Sequence, residues 1–338
     1  MKILITGGAG YIGSHTCVEL LENSHQVLVL DNLSNSKLEA LYNVSKIVNI
    51  ELNTDEDNES CFSFIEADLR DKDSLDRIFN RNRIDVVIHF AGLKSVNESI
   101  LKPSEYFENN VLGSINLFEA MKKFNCKSII FSSSATVYGN SHIMPINEKC
   151  SLKPTNPYGK SKMTIEASLN NLFKLDNSWH IGIIRYFNPV GAHRSGLIGE
   201  DPTGIPNNLM PYIMQVAAGE LETLNIFGND YDTQDGTGVR DYIHVMDLAK
   251  GHTKILDVLM KKAQVLTINL GTGIGYSVLD IVKAFEKVSN KKITYKVVDR
   301  RIGDIAISYA DPSFTEEKLG WKAKYTFCLL YTSDAADE

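Results

Sequence analysis

Lys2-Ile3-Leu4-Ile5-Thr6-Gly7-Gly8-Ala9-Gly10-Tyr11-Ile12-Gly13 decides the fold. A short β-branched and apolar run, Lys2–Thr6, stops at a glycine cluster, and an apolar-periodic stretch over 13–22 then predicts a helix. Glycines at Gly7, Gly10 and Gly13 permit a tight turn and let backbone approach a pyrophosphate, which rests against the positive end of the following helix. A GxGxxG string alone is a weak signal, and the strand before it and helix after it are what strengthen it.

Working outward, the same alternation continues. Strands are expected at Gln26–Asp31, 61–66, 86–91, Ser128–Ser132 and 181–186, with helices at 74–80, 103–124 and 158–175. This order implies an α/β fold: a Rossmann-type doubly wound parallel sheet covered by helices. Residues 41–60, rich in Asn, Asp, Glu and Ser, read as a helix end followed by a solvated loop. After Asn188, Pro189, Pro202, Pro206 and Pro211 mark long loops and a smaller C-terminal substrate-binding domain. The expected division is a dinucleotide-binding domain at 1–187 and a second domain at 188–325, with about 240–272 packing back on the first.

The 338 residues, 43% of them hydrophobic and 23% charged, are enough for a full core and about two domains. A net charge of -7 argues against a nucleic-acid partner, so an anionic ligand must meet locally placed arginines. No run approaches the roughly 18 apolar residues that span a membrane, and no signal-peptide pattern is visible. Cys17, Cys61, Cys126, Cys150 and Cys328 are odd in number and without CxxC pairing, which suits free thiols in a cytoplasmic, reducing compartment. The eight histidines form no metal-binding pattern, so no metal is expected.

Asp31 closes the second strand some twenty residues past the glycines, where a carboxylate accepts hydrogen bonds from adenosine ribose hydroxyls and repels a 2′-phosphate, favouring NAD over NADP. Asp68 reads equally as an adenine-side contact or a helix N-cap. Tyr158 and Lys162, four apart, share one helical face. Lowering a tyrosine pKa by three units takes about 4 kcal/mol. A cation at about 4 Å in an effective dielectric near 20 supplies about that much, so Lys162 with a positively charged nicotinamide would make Tyr158 a competent acid/base. The spacing alone reads more readily as an exposed amphipathic pair. Its place after a strand running into Ser132-Ser133-Ser134 points to chemistry instead, because a hydroxyl there faces the crevice in which doubly wound sheets bind ligands.

Nine ordered strings, GGAGYIGSH, LDNLSNS, VIHFAGLKSV, FSSSATVYG, PYGKSK, RYFNPVGAH, GIPNNLMPYI, GVRDYIHVMDLA and RRIGD, resemble the UDP-glucose 4-epimerase family of extended short-chain dehydrogenase/reductases, from Met1 to about Tyr325. The resemblance implies an NAD site lined by Tyr11, Ile12, Asp31, Asn32, Asn35, Asp68, Leu69, Phe90, Ala91, Gly92, Lys94, Asn109 and Phe187. It implies Ser134, Tyr158 and Lys162 as the catalytic triad. Asn188, Asn208, Leu209, Phe227, Arg240, Arg301 and Asp304 would hold the UDP-sugar, the arginines because a diphosphate calls for charge-assisted donors. Arg240 as an ordinary surface ion-pair partner is the bland alternative.

The implied activity is reversible interconversion of UDP-glucose and UDP-galactose, a step of galactose metabolism, through transient oxidation at C4. The resemblance also implies a homodimer formed by helices 103–124 and 158–175. The family's wall residue beside the sugar's C2 substituent matches Ser308, whose small side chain leaves room for an acetamido group. A nucleotide-sugar 4,6-dehydratase is disfavoured because that family carries Asp-Glu just after the catalytic Ser/Thr, where this chain has Ala135-Thr136. A non-enzymatic NAD-sensing protein is disfavoured because Tyr158 and Lys162 are both present. Beyond Tyr325 the resemblance stops, and residues 326–338 read as an atypical tail, truncated or foreign.

Overall fold

The computed structural model describes residues 1–55, 60–201, 206, 208–301 and 303–325. The elements of the first half are β1 (Lys2–Thr6), α1 (Tyr11–Glu22), β2 (Gln26–Asp31), α2 (Glu39–Val48), β3 (Phe62–Glu66), α3 (Lys72–Arg81), β4 (Val86–His89), α4 (Val96–Leu101), α5 (Pro103–Tyr106), α6 (Gly113–Lys123), β5 (Ser128–Ser132), α7 (Pro157–Leu175) and β6 (His180–Tyr186). Then follow β7 (Asn188–Val190), α8 (Leu209–Ala217), β8 (Leu224–Phe227), β9 (Val239–His244), α9 (Val245–Leu259), β10 (Gln264–Leu270), β11 (Gly275–Ser277), α10 (Val278–Ser289), β12 (Tyr295–Val298), β13 (Ile307–Ser308) and α11 (Ser313–Leu319).

Seven parallel strands form the central sheet in the order β10-β6-β5-β4-β1-β2-β3, which is the doubly wound architecture expected. Both faces are covered, so the inner strands are nearly continuous apolar runs rather than alternating: Ile3, Leu4 and Ile5 are all fully buried. One core joins Ile3, Ile5 and Val29 to Cys17, Leu20, Leu248 and Leu256, placing α1 and α9 on one face. The other joins Leu4, Val87 and Phe131 to Ile78, Leu117 and Ile165, placing α3, α6 and α7 opposite. Strand order reverses between β1 and β4, and it is there that ligands enter such sheets.

A second, smaller core collects Met210 and Ile213 of α8, Ile226 of β8, Tyr242 of β9 and Ile281 and Phe285 of α10. β9 pairs with β7, β11 and β13 in a small sheet, and β8 pairs with β12. From β9 the chain returns as α9 onto α1, and β10 pairs in register with β6 at the edge of the large sheet. Asp247 at the start of α9 accepts from the Lys324 and Tyr325 amides at 2.7 and 2.8 Å, pinning the last described residues. The tail at 326–338 lies outside the described residues, as do 56–59 of the solvated loop and Pro202.

Three expectations are corrected. The strand expected at 86–91 ends at His89, because the Phe90 and Ala91 amides both turn to donate to the Thr6 carbonyl at 3.0 Å. Helix 103–124 is divided: α5 and α6 flank a wide π-type turn at Phe107–Leu112. There the buried Asn110 accepts from the Leu93 amide (2.7 Å) and donates to the Leu93 carbonyl (2.9 Å), contacts an unbroken α-helix would re-aim. Pro211 lies inside the first turn of α8 rather than in a loop, where its missing N–H costs no intrahelical bond.

Behind the sheet's carboxyl end, Arg185 of β6 forms an ion pair of 2.6 Å with Glu166 of α7, the side chains 7% and 3% exposed. Glu166 also accepts from Ser133, and Arg185 donates to Tyr138, which in turn donates to Asn269. Removing one partner of a buried pair strands the other charge. Arg185→Met is therefore expected to destabilise the fold by about 3–5 kcal/mol, and Arg185→Met with Glu166→Leu to recover most of that, by denaturant titration. Equal loss in the single and double variants would contradict this account.

Candidate active site

The glycine turn works by what it leaves out. Gly7 has φ +71°, and a Cβ there would fall 2.6 Å from the Ala91 amide nitrogen; one at Gly13 would fall 2.3 Å from the Gly7 carbonyl oxygen. The turn therefore packs directly under the loop after β4 and against the first turn of α1. Gly10 stands at the N-cap of α1 without a side-chain cap, so the first turn of the helix and its positive end face the cavity beside it.

That cavity, of about 410 Å³, lies over the carboxyl ends of the strands. Its walls include Gly7, Gly10, Tyr11, Ile12, Gly13, Asp31, Asn32, Asn35, Asp68, Leu69, Phe90, Ala91, Gly92, Lys94, Asn109 and Phe187. Asp31, at the end of β2, accepts from the amides of Ala9 (3.1 Å) and Leu33 (3.0 Å) and the Ser36 hydroxyl (2.9 Å). Burial nevertheless raises its pKa, with these bonds opposing the shift. Asp68 accepts from Asn32 at 2.9 Å and pairs with Arg70 at 2.7 Å, which holds its carboxyl well below the usual range. It does not cap the next helix. Asp71 caps α3, accepting from the Asp73 and Ser74 amides.

Ser134, Tyr158 and Lys162 line the same cavity. Asn156 caps α7 by accepting from Gly159, and Pro157 occupies its first turn, so Tyr158 enters at the helix's start. Of the three serines closing β5, Ser133 gives its hydroxyl to Glu166, while Ser132 keeps a buried hydroxyl without a partner among the described residues. Ser134 alone of them lies on the cavity wall, accepting from the Thr136 amide and hydroxyl at 3.2 and 3.0 Å.

Lys162 is buried and donates to the Ser132 carbonyl at 2.9 Å, with its ammonium 5.9 Å from the centre of the Tyr158 ring. Burial lowers its pKa to about 8, Glu166 opposing. The chain's own groups push the Tyr158 phenol well above its ordinary value, chiefly through burial and then the neighbouring Tyr186, with Ser134 opposing.

The opposite lip carries Asn188, Asn208, Arg240, Arg301, Asp304 and Ser308. Asp304 bridges both arginines, taking Arg240 on one oxygen and Arg301 on the other at 3.1 Å each. Arg301 also stacks its guanidinium 4.8 Å from the Phe227 ring centre. Phe227 and Leu209 do not line the cavity; Leu209 begins α8 and packs against the second core. Ser308 is paired with Arg240 in the β13–β9 register. Tyr186, Thr136 and Ile305 also form the walls and were not anticipated from sequence. Tyr186 was within reach, since it ends β6 exactly as Ser132 ends β5.

The cradle a Cβ would fill, the helix end beside it, the Asp31 carboxylate closing β2 and a Ser-Tyr-Lys wall together fit a dinucleotide, and define a site of the short-chain dehydrogenase/reductase class. The sequence model of the family described as GDP-mannose 4,6 dehydratase matches residues 4–333. The chain is 56% identical over 324 residues to the UDP-glucose 4-epimerase of Bacillus subtilis, covering 96% of this chain and 93% of that protein. Among solved structures, it resembles the UDP-glucose 4-epimerase of Bifidobacterium longum in complex with NAD+ and UDP (TM-score 0.93, 48% identity, 100% and 99% of the two chains). It also resembles that of Stenotrophomonas maltophila with bound NAD and formylated UDP-arabinopyranose (TM-score 0.94, 45% identity, 100% and 97%). The chain belongs to the UDP-glucose 4-epimerase family.

Proposed function

We propose that this protein is an isomerase that interconverts UDP-glucose and UDP-galactose using bound NAD. The observation that carries the reading is that one cavity holds the dinucleotide cradle, the Ser134-Tyr158-Lys162 wall and a pair of arginines on the opposite lip. NAD, when bound, supplies the hydride acceptor and donor for sugar C4 and a positive charge that offsets the burial of Tyr158.

Ser134 holds the sugar's 4-hydroxyl, and Tyr158 takes its proton. Lys162, still largely protonated near neutrality, adds its charge to the wall. Arg240 and Arg301 keep the diphosphate paired while the 4-ketose turns about its phosphate linkage. Tyr158 then returns the proton as C4 is reduced on the opposite face. Asn188, Asn208, Leu209, Phe227 and Asp304 complete the UDP-sugar side. Ala135 and Thr136, which follow Ser134, offer no acid and base pair for a dehydratase's elimination step.

Three finer readings accompany it. Ser308 leaves space beside the sugar, so UDP-N-acetylglucosamine and UDP-N-acetylgalactosamine are substrates too. Leu101 (81% exposed), Phe107 (57%) and Leu175 (85%) lie along α4, the wide turn and the end of α7, an apolar surface suited to a second copy of the chain. No helix among the described residues is long and apolar enough to cross a membrane. Cys17, Cys61, Cys126 and Cys150 are free thiols, which suits the cytoplasm.

Incubation with UDP-galactose should yield UDP-glucose. Tyr158→Phe should lower kcat by about 10²–10⁴-fold while UDP binding is unchanged; near-normal turnover would remove Tyr158 as the base. Wild type should also turn over the N-acetylhexosamine pair, and Ser308→Tyr should abolish that activity selectively. Absence of N-acetylhexosamine turnover in an otherwise active wild type would defeat the Ser308 argument. In sedimentation at micromolar concentration a dimer is expected, and monomer alone would overturn the interface.

A further inference from the structure

Glu200 stands outside the cavity wall but touches both of its halves. Its side chain is 10% exposed. A single carboxylate oxygen, Oε1, accepts from Asn208 Nδ2 at 2.6 Å and lies 3.5 Å from Lys94 Nζ. Lys94 belongs to the loop after β4, beside the dinucleotide cradle; Asn208 precedes α8, on the substrate lip. Both line the cavity, so this carboxylate is the shared anchor of two wall residues from opposite sides.

The asparagine's behaviour is the second observation. Asn208 occupies the N-cap of α8 with extended backbone, a position where asparagine normally accepts a bond from the helix's own amides, yet no such side-chain bond forms. Its amide is instead committed to Glu200. The carboxylate is itself well fixed. The segment leading to it is tied to the first half of the chain by the Tyr11 hydroxyl on the Gly191 carbonyl, by Asn43 on the Leu197 carbonyl at 3.0 Å, and by Lys37 on Asp201. Burial pushes the Glu200 carboxyl up, with Lys94 first and then Asn208 opposing, as expected of a buried acid that depends on these two partners.

We propose that Glu200 is a positioning residue that couples the two ligand sites, holding Lys94 over the cofactor and Asn208 toward the UDP-sugar through one carboxylate oxygen. The inference rests on the reading of Lys94 and Asn208 given under the proposed function. A ligand that fixes Asn208 also fixes Glu200, and with it the ammonium beside the dinucleotide. Occupancy of the substrate half therefore slows departure of the cofactor, and by linkage the cofactor strengthens UDP binding.

The test is the rate at which holoenzyme loses NAD after rapid dilution, with and without saturating UDP. In the wild type, UDP should slow the loss about fivefold or more, the lower end of ordinary coupling between sites. Glu200→Gln keeps an oxygen for Asn208 but removes the counter-charge of Lys94, and Glu200→Ala removes both. The UDP effect should fall below about twofold in each, with KM raised more by alanine than by glutamine and kcat little changed. Asp201→Asn, whose pair with Lys37 is largely exposed, should retain the wild-type ratio and so controls for loosening of the segment. If Glu200→Ala does not fold, Glu200→Gln decides. A wild-type ratio preserved in the glutamine variant overturns the proposal, as does a wild type that binds UDP without slowing NAD loss. A wild type that binds no UDP refutes the proposed function instead and takes this inference with it.

Discussion

Two absent side chains set the geometry from which the site is built. Because neither Gly7 nor Gly13 carries a Cβ, the turn after β1 lies directly against the Ala91 backbone and beneath the first turn of α1. Any other residue at Gly7 would meet Ala91 at 2.6 Å and would also have to adopt a left-handed backbone. The consequence spreads from there. β1 sits between β2 and β4 at the point where strand order reverses, so the close approach brings the ends of three strands and an uncapped helix terminus around one crevice.

The opposite side of the crevice solves a harder problem, that of keeping polar and charged groups ordered inside a protein. Lys162, Glu166 and Arg185 are all buried, and Glu166 is one helical turn beyond Lys162. The Glu166–Arg185 pair, with Ser133, Tyr138 and Asn269 bonded around it, locks α7 to the ends of β5 and β6. Such a pair contributes little net stability against an apolar replacement, but its geometry is specific. It favours a charged Lys162 with a fixed carbonyl partner, while burial holds the Tyr158 phenol above its ordinary value.

The doubly wound sheet was legible because each strand ends abruptly at glycine or polar residues and both faces are covered, which produces uninterrupted apolar runs. The individual strands of the smaller unit were not, although a second domain after Asn188 was expected. β7, β11 and β13 are two or three residues long, too short for periodicity to register. Local motifs behaved the same way. Gly7 to Gly13, and Tyr158 with Lys162, are contiguous in sequence, and their placement follows from a turn and a helix. The Glu200–Lys94 contact joins residues 106 apart, and no local pattern marks it. The Lys162 contact is non-local in the same way: i, i+4 spacing shows that it shares a face with Tyr158, but not that its ammonium donates to the Ser132 carbonyl.

The arginines at the far lip show why a weak interaction suits a binding site. Two cations facing one cavity repel each other, and Asp304 relieves this by giving one oxygen to each. Arg301 is 39% exposed and Asp304 22%, so solvent screens that contact, a pair worth only about 0.2–1 kcal/mol, whereas the more enclosed Arg240 is also held by the Val239 and Ala306 carbonyls. On the proposed reading a diphosphate brings more negative charge and more acceptor oxygens than a single carboxylate, and can draw the guanidiniums without first breaking a strong bond. A deeply buried partner such as Glu166 would hold them too firmly, while no carboxylate would leave Arg301 free to fold away from the cavity. Phe227 limits that freedom for Arg301 from its other side, where the ring holds the flat guanidinium in place without competing for its N–H donors.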